Sequence, residues 1–365
     1  MNLKLPMMFS ILLSSSTFLL PYELLASGCE QTAHLMHPAC YADARDEYKI
    51  ALANCTNRET RSEQRACMSE AKRSLGQDDA DCREQFAARR DACDILDEDR
   101  YATDPLSDPD ISFVDPDDID AATVNPYVSL IAGHTYVLRG GDEGEETDVI
   151  HVTHETREIE GVLCRVVVDV VVIGELDEVT GEAAYEPVEV THDWIAQDID
   201  GNTYYCGELA RNYEEGQLVD LDGSFESGRD QAKAGLLLMA SPELGFAHRQ
   251  EFSLGEAEDI IEYVDFAAFP NSDNEIFSCA DAGGCLMTHD FTPLEPGVEE
   301  FKYYIPGTGF VLAESVEDGE LTGSVDVLVC MGDSLDVLEN PDCEIDSPEI
   351  LVDTLCELVP GVFCD

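Results

Sequence analysis

The chain has 365 residues, enough for one large domain or two smaller ones, and sets 20 Lys+Arg against 78 Asp+Glu for a formal net charge of −58. Like-charge repulsion at that balance excludes DNA, RNA and anionic membrane surfaces as partners. It suits a saline or divalent-cation-rich exterior, where screening relieves self-repulsion.

Met1 to Gly28 reads as a bacterial export signal. Lys4 supplies a positive start, Leu5 to Leu20 an apolar stretch, and Ala26-Ser-Gly28 the small residues of a cleavage site. Leu25-Ala-Ser-Gly-Cys29 also resembles a lipobox, with Ala26 where leucine is usual, which raises a lipid anchor at Cys29 as an expectation. No later run reaches the roughly 18 apolar residues of a bilayer span, so no transmembrane segment is expected and the mature protein is placed in the periplasm or outside the cell. Fourteen cysteines, an even number, imply disulfides in such a compartment.

The first six cysteines are Cys29, Cys40, Cys55, Cys67, Cys82 and Cys93, separated by 10, 14, 11, 14 and 10 residues. That palindrome predicts nested pairs, Cys29–Cys93, Cys40–Cys82 and Cys55–Cys67, whose positions each sum to 122. An antiparallel helical hairpin stapled at three levels has this signature. Residues 41–54 and 68–77 are rich in helix formers, and cysteines fifteen apart lie within about 60° on a helix. Pro38 is expected near the start of the first helix. The layout resembles the twin-cysteine helical hairpins, but their usual spacing is nine residues, so no function carries over. The spacings lack any C-x2-C metal pair.

Residues 96–123 are dense in Asp and Pro and read as an extended acidic linker. A calcium loop starting at Asp115 fails: its sixth position is Asp120 and its twelfth Pro126, where glycine and glutamate are required.

From residue 124 to 329 short β-prone runs alternate with Gly, Asp and Pro, which predicts a mainly antiparallel β domain: a curved sheet, barrel or sandwich. The clearest strand is 162–173. Its even positions, Val162, Cys164, Val166, Val168, Val170 and Val172, form an apolar face for the core, and its odd positions, with Arg165 and Asp169, a less buried surface. Residues 192–208 read as a β-hairpin turning on Asp200-Gly201 as a two-residue loop, with Ile195 opposite Cys206 and Trp194 opposite Gly207. Cys164–Cys206 is the preferred bridge here, and Cys279–Cys285 closes a local loop. Residues 330–365 form a cysteine-rich tail whose four cysteines pair among themselves.

Three motifs carry a resemblance. Trp194-Ile-Ala-Gln-Asp-Ile-Asp-Gly-Asn-Thr-Tyr-Tyr-Cys-Gly-Glu208 is the most specific. Arg249-Gln-Glu-Phe with Glu256-Ala-Glu-Asp259, and Pro293-Leu-Glu-Pro-Gly-Val298 with Lys302-Tyr-Tyr-Ile-Pro-Gly-Thr-Gly-Phe-Val311, support it. Over residues 125–329 the chain resembles a broad group of secreted bacterial β-rich domains without an assigned function. The resemblance implies export and a β unit but no activity. Cys206 stands where that group has an aromatic residue, as a disulfide specific to this lineage would require.

Candidate chemistry is sparse. His151 and His154 are three apart and face opposite ways on a strand, so a transition-metal site needs His192 as well. Asp198, Asp200 and Asn202 crowd one turn, where calcium binding competes with plain turn chemistry. Arg249 beside Glu251, Glu256 and Glu258 reads as a structural ion-pair centre. Gly332-Asp-Ser-Leu335 spells the motif of a serine hydrolase family, but no histidine follows His289 to complete it. No nucleophile elbow, phosphate loop or dinucleotide motif occurs. The expected function is therefore an exported, non-catalytic binding or interaction protein for a protein or small-molecule ligand. The alternatives are an extracellular calcium-binding protein and a metal-dependent enzyme.

Overall fold

A computed structural model describes residues 27–364 apart from 102, 142, 143, 177–182, 273, 275, 318 and 344. Of the segment expected as an export signal, Met1 to Gly28, residues 1–26 lie outside the described residues. Helix α1 (Gly28–Thr56) begins at an N-cap, Ser27, whose hydroxyl accepts from the Glu30 amide; α2 (Arg61–Ile95) begins at a capping box between Thr60 and Glu63. The two helices form the antiparallel hairpin, stapled by Cys29–Cys93, Cys40–Cys82 and Cys55–Cys67. Its seam is made of Ala33, Ala44, Ala71, Ala92 and cystine, too little apolar surface to hold two helices unaided. Both helices outrun the segments expected from propensity. Pro38 lies inside α1 rather than at its start, because the cap at Ser27 and the outermost staple extend the helix upstream. The Cys29–Cys93 bond also occupies the sulfur that a lipid anchor at Cys29 would need.

Most of the remaining described chain is an antiparallel sheet. Its strands are β1 (Thr135–Gly140), β2 (Glu146–Ile159), β3 (Val162–Leu176), β4 (Ala183–Gln197), β5 (Thr203–Leu209), β6 (Asn212–Glu214), β7 (Gln217–Asp220) and β8 (Phe225–Glu226). After them come β9 (Lys233–Leu238), β10 (Ala247–Arg249), β11 (Glu251–Phe252), β12 (Ile260–Ala268), β13 (Cys285–Phe291), β14 (Val298–Ile305), β15 (Gly309–Glu317) and β16 (Glu320–Gly332). The main path runs β10-β12-β13-β14-β15-β16-β1-β2-β3-β4-β5-β9-β11. Its two ends are consecutive in the chain: β10 pairs with β12, and β11, after Gln250 alone, pairs with β9. Segment 247–252 thus brings the edges together and the sheet wraps into a near-barrel, leaving little free edge. Gly235 makes the seam possible, since a Cβ there would stand 2.3 Å from the Gln250 carbonyl.

Curvature gives every strand an inner and an outer face. On β3 the even positions point outward, but not to solvent. The tail covers them: Leu351 and Leu355 of the helix Pro348–Leu358, with Phe363, join Val166, Val168, Val170 and Val172 in the largest apolar cluster. Cys330–Cys343 and Cys356–Cys364 hold that cover, while Cys164–Cys206 ties β3 to β5. Cys279–Cys285 closes a short loop before β13. The odd face of β3, expected at a less buried surface, lines the barrel interior through Val167, Asp169 and Val171, while Arg165, 1% exposed, lies outside the cavity lining.

The acidic segment 96–123 runs along the barrel as a strap. Leu106 and Ile119 are buried, the Val114 amide donates to the Gln197 carbonyl, and Asp117 accepts from Arg165 Nη2 at 3.0 Å. Beyond it, 125–131 closes one end of the barrel. Leu130 is fully buried, and Val128 packs with Val152, Val167 and Ile195. Buried Asn125 fixes this plug, donating to the carbonyls of Gly201 and Leu238 and accepting from the amides of Tyr127 and Val128.

The hairpin β4–β5 has a longer loop than Asp200-Gly201 alone. Gln197 pairs with Thr203 and Ile195 with Tyr205, and a bulge between Trp194 and Ile195 restores Trp194 opposite Gly207. A two-residue type I′ turn needs positive φ at both central residues, yet Gly201 is left-handed and Asp200 is not. The Asp198 carboxylate accounts for the difference: it accepts from the amides of Asp200 and Asn202, drawing three residues into the loop.

Candidate functional site: an acidic barrel lumen

The inward face of the barrel surrounds a cavity of about 510 Å³. Its walls carry Glu146 and Asp148 from β2, Asp169 from β3, Asp193 from β4, Glu251 from β11, Asp290 from β13, Glu300 and Lys302 from β14 and Asp326 from β16, with Asp259 just before β12. Pairing sets apolar side chains among them: Asp169 lies opposite Ile150, and Asp193 opposite Val167. Leu130, Val152, Ile195 and Leu237 add apolar lining next to the plug. The Glu300 side chain is about one-third exposed, so its end of the cavity meets solvent.

Burial dominates the electrostatics. Removing carboxylates from water favours their neutral form, and neighbouring acids add to the effect. Burial, offset by a hydrogen bond with Asp169 and reinforced by the charges of Asp326, Glu189 and Asp193, pushes Asp148 up to about 7. Asp169 is held well above the ordinary carboxyl range by burial and then by Asp148. Asp193 rises to about 8 and Glu208 to about 9, burial again leading. Glu251 is driven well above its usual value by burial and by Asp259, and Asp326 reaches about 6. The Tyr205 hydroxyl bonds both Asp193 and Glu208, the latter at 2.9 Å. With one proton of its own it donates to one and accepts from the other, which requires one acid of the pair to be protonated. Lys302 is the exception to the sign of the lumen: its Nζ lies 3.4 Å from Asp290 and 3.1 Å from Glu300, and those partners hold it charged against desolvation.

The residues singled out from sequence fall elsewhere. His151 and His192 stand on the outer face, both opposite Val168, with β3 between them. Buried His151 bonds Thr135 Oγ1 at 2.9 Å, and burial lowers it to about 4, a neutral imidazole. His192 lies beside Arg211, and His154 is exposed. At the hairpin tip, Asp198 accepts from two backbone amides, from Asn202 Nδ2 and from the Tyr204 hydroxyl, so its oxygens serve the loop. Arg249 is an ion-pair centre, but its partner is Glu98 of the strap, at 2.6 Å, with Tyr101 stacked beneath it. Of its expected acidic neighbours, Glu258 pairs with Arg89 of α2 at 2.7 Å and Glu251 faces the lumen. Among the described residues no three His, Cys, Asp or Glu side chains gather into a metal-ligand set. Nor, among those residues, is any helix long and apolar enough to cross a membrane.

The lumen acids had one sequence signal, a charged residue at mid-strand between apolar neighbours. Asp169 sits in Val166-Val-Val-Asp-Val-Val-Val172, and Asp193 directly precedes Trp194. What the pattern lacked was that these strands close on one another.

Fold and site together define a stapled helical hairpin joined to a nearly closed antiparallel barrel with an acidic interior. No family model and no curated protein matches the chain. Among solved structures, a Bacteroides fragilis protein with a YmcC-like fold, described as exported, aligns at 15% identity over 57% of this chain and 99% of its own, with a TM-score of 0.28. A score that low carries no argument about function.

Proposed function

We propose that this is an exported, non-catalytic binding module whose barrel lumen holds a small ligand bearing positive charge. One observation carries the reading: a cavity of ligand size has its walls set with buried carboxylates and one lysine. Folding buries these acids against their solvation, which a merely structural interior would avoid with apolar residues. Seven disulfides support an oxidising compartment. Calcium is the competing cation, and the same experiment tests it. Melting curves of the mature chain are recorded with cationic, neutral and anionic small molecules and with calcium. Stabilisation by organic cations, lost when Ala313→Trp fills the lumen, supports the reading. A shift with calcium alone transfers the site to the metal. Stabilisation by no compound, or equally in Ala313→Trp, overturns it.

A further inference from the structure

The lumen acids are grouped rather than evenly spread. Asp148 and Asp169 are diagonal neighbours on β2 and β3, and their carboxyls interact. Asp193 and Glu208 share Tyr205, and Glu251 faces Asp259. The fourth group, Asp290 with Glu300, already contains its cation, Lys302. The other three have none among the described residues lining the lumen, though Glu208, beside Asp193, also lines a neighbouring hollow with Arg157 and Arg229. A second observation is independent of charge. Glu251 is 6% exposed, lines the cavity, and its Oε2 has no hydrogen-bond partner among the described residues; Asp148 Oδ1 and Asp169 Oδ1 are likewise buried and unpaired. Buried acceptors demand donors, so these oxygens mark where a ligand's N–H groups belong.

Resting on the binding-module reading above, we propose that the lumen binds an aliphatic diamine or polyamine, its ammonium groups on the carboxylate pairs and its methylenes along Ile150, Val167, Ile195 and Leu237. An ammonium offers three donors and can bond both acids of a pair at once. Calcium takes about six to eight oxygens converging on one point. Pairs spaced by apolar side chains match separated point charges on a hydrocarbon chain instead. A monoamine satisfies only one pair.

The proton balance follows from the same groups. The pair Asp148–Asp169 is faced by Glu189 and Asp193 of β4 and by Asp326 of β16; Glu208 is faced by Asp193, Glu189 and Asp259; Glu251 by Asp259, Glu208 and Asp193. Each pair therefore holds a shared proton when no cation is present. An arriving ammonium brings its own charge, the shared proton leaves to solvent, and no covalent bond changes. Binding tightens as pH rises, until the amines themselves deprotonate near about pH 10.

The test is titration calorimetry of the mature chain in about 0.15 M salt, which screens loose condensation on the acidic surface. Spermidine, 1,4-diaminobutane, 1-aminobutane and calcium chloride are the probes, at about pH 6 and about pH 8.5. One spermidine is expected per chain, bound roughly tenfold or more tighter than 1-aminobutane, tighter at the higher pH and with proton release read from buffer-dependent heats. Asp169→Asn and Glu251→Gln, near-isosteric and checked for native near-ultraviolet dichroism, each weaken it by roughly tenfold or more. Asp281→Asn, on an exposed helix turn, leaves it unchanged. Several weak sites indifferent to both lumen variants overturn the proposal, as does calcium displacing spermidine from the lumen. Binding of neutral or monocationic compounds without preference for diamines overturns it too, yet leaves the binding-module reading standing.

Discussion

The ion pair between Arg89 and Glu258 joins the hairpin to the barrel, and its energetics can be worked from its surroundings. Arg89 is 4% exposed and Glu258 fully buried, and the guanidinium meets the carboxylate through Nε and Nη2 at 2.7–3.1 Å. Glu258 also accepts from the Gly255 amide at 2.9 Å. Arg89→Met keeps most of the apolar stem and removes the charge, leaving Glu258 buried with one backbone donor. Breaking such a pair costs about 3–5 kcal/mol, because the remaining charge keeps its desolvation penalty without its partner. A loss of about 4 kcal/mol lowers the folding equilibrium roughly a thousandfold. The double variant Arg89→Met/Glu258→Met removes both charges and is expected within about 1 kcal/mol of the parent, or above it. Urea unfolding reads the two parts separately: helical dichroism follows the hairpin, and fluorescence of Trp194, the only tryptophan, follows the barrel. The single variant should lower the helical transition most. A loss under about 1 kcal/mol in Arg89→Met, or a double variant that loses the sum of both singles, would refute the reasoning.

Gly235→Ala pushes a methyl group against the backbone of Gln250 and should cost at least about 1–3 kcal/mol by the same fluorescence. Gly76→Ala, in open space on α2, should instead gain about 1 kcal/mol; equal effects at the two glycines would deny the seam its close approach. The lumen acids predict a pH dependence with a definite sign. Their folded pKa values lie above the unfolded ones near about 4, so the folded state binds more protons between the two and stability falls as pH rises. The window runs from about 4 through the values of Asp326 at about 6, Asp148 at about 7, Asp193 at about 8 and Glu208 at about 9. Melting temperature should fall from pH 5 to pH 9, less steeply in Asp148→Asn and Glu208→Gln than in the parent. Parallel slopes would assign the whole effect to the acidic surface.

Composition and local pattern were enough for the hairpin, since a cysteine palindrome and helix-forming segments are both properties of sequence distance. They were also enough for an antiparallel β domain and for the two faces of β3. They placed no strand over β16, whose first half, Glu320 to Ser324, is interrupted by Gly323. The hairpin turn at Asp200-Gly201 was legible as a turn but not as a loop of three residues. Its length depends on where the Asp198 carboxylate finds its donors.

By itself, then, the sequence determined the acidic charge balance, the stapled hairpin and the period-two strands. Only tertiary structure decided which face of each strand turns inward. An alternating strand has two faces whatever its neighbours. In an open sheet the apolar face would be the core and the acids would meet water. Here Gly235 lets segment 247–252 close the sheet and the C-terminal helix covers the outer valines. Asp148, Asp169, Asp193, Glu251 and Asp290, scattered along the chain, thereby come to line one cavity. Proximity among residues so distant in sequence is a property of the closed barrel, and the candidate site exists only through it.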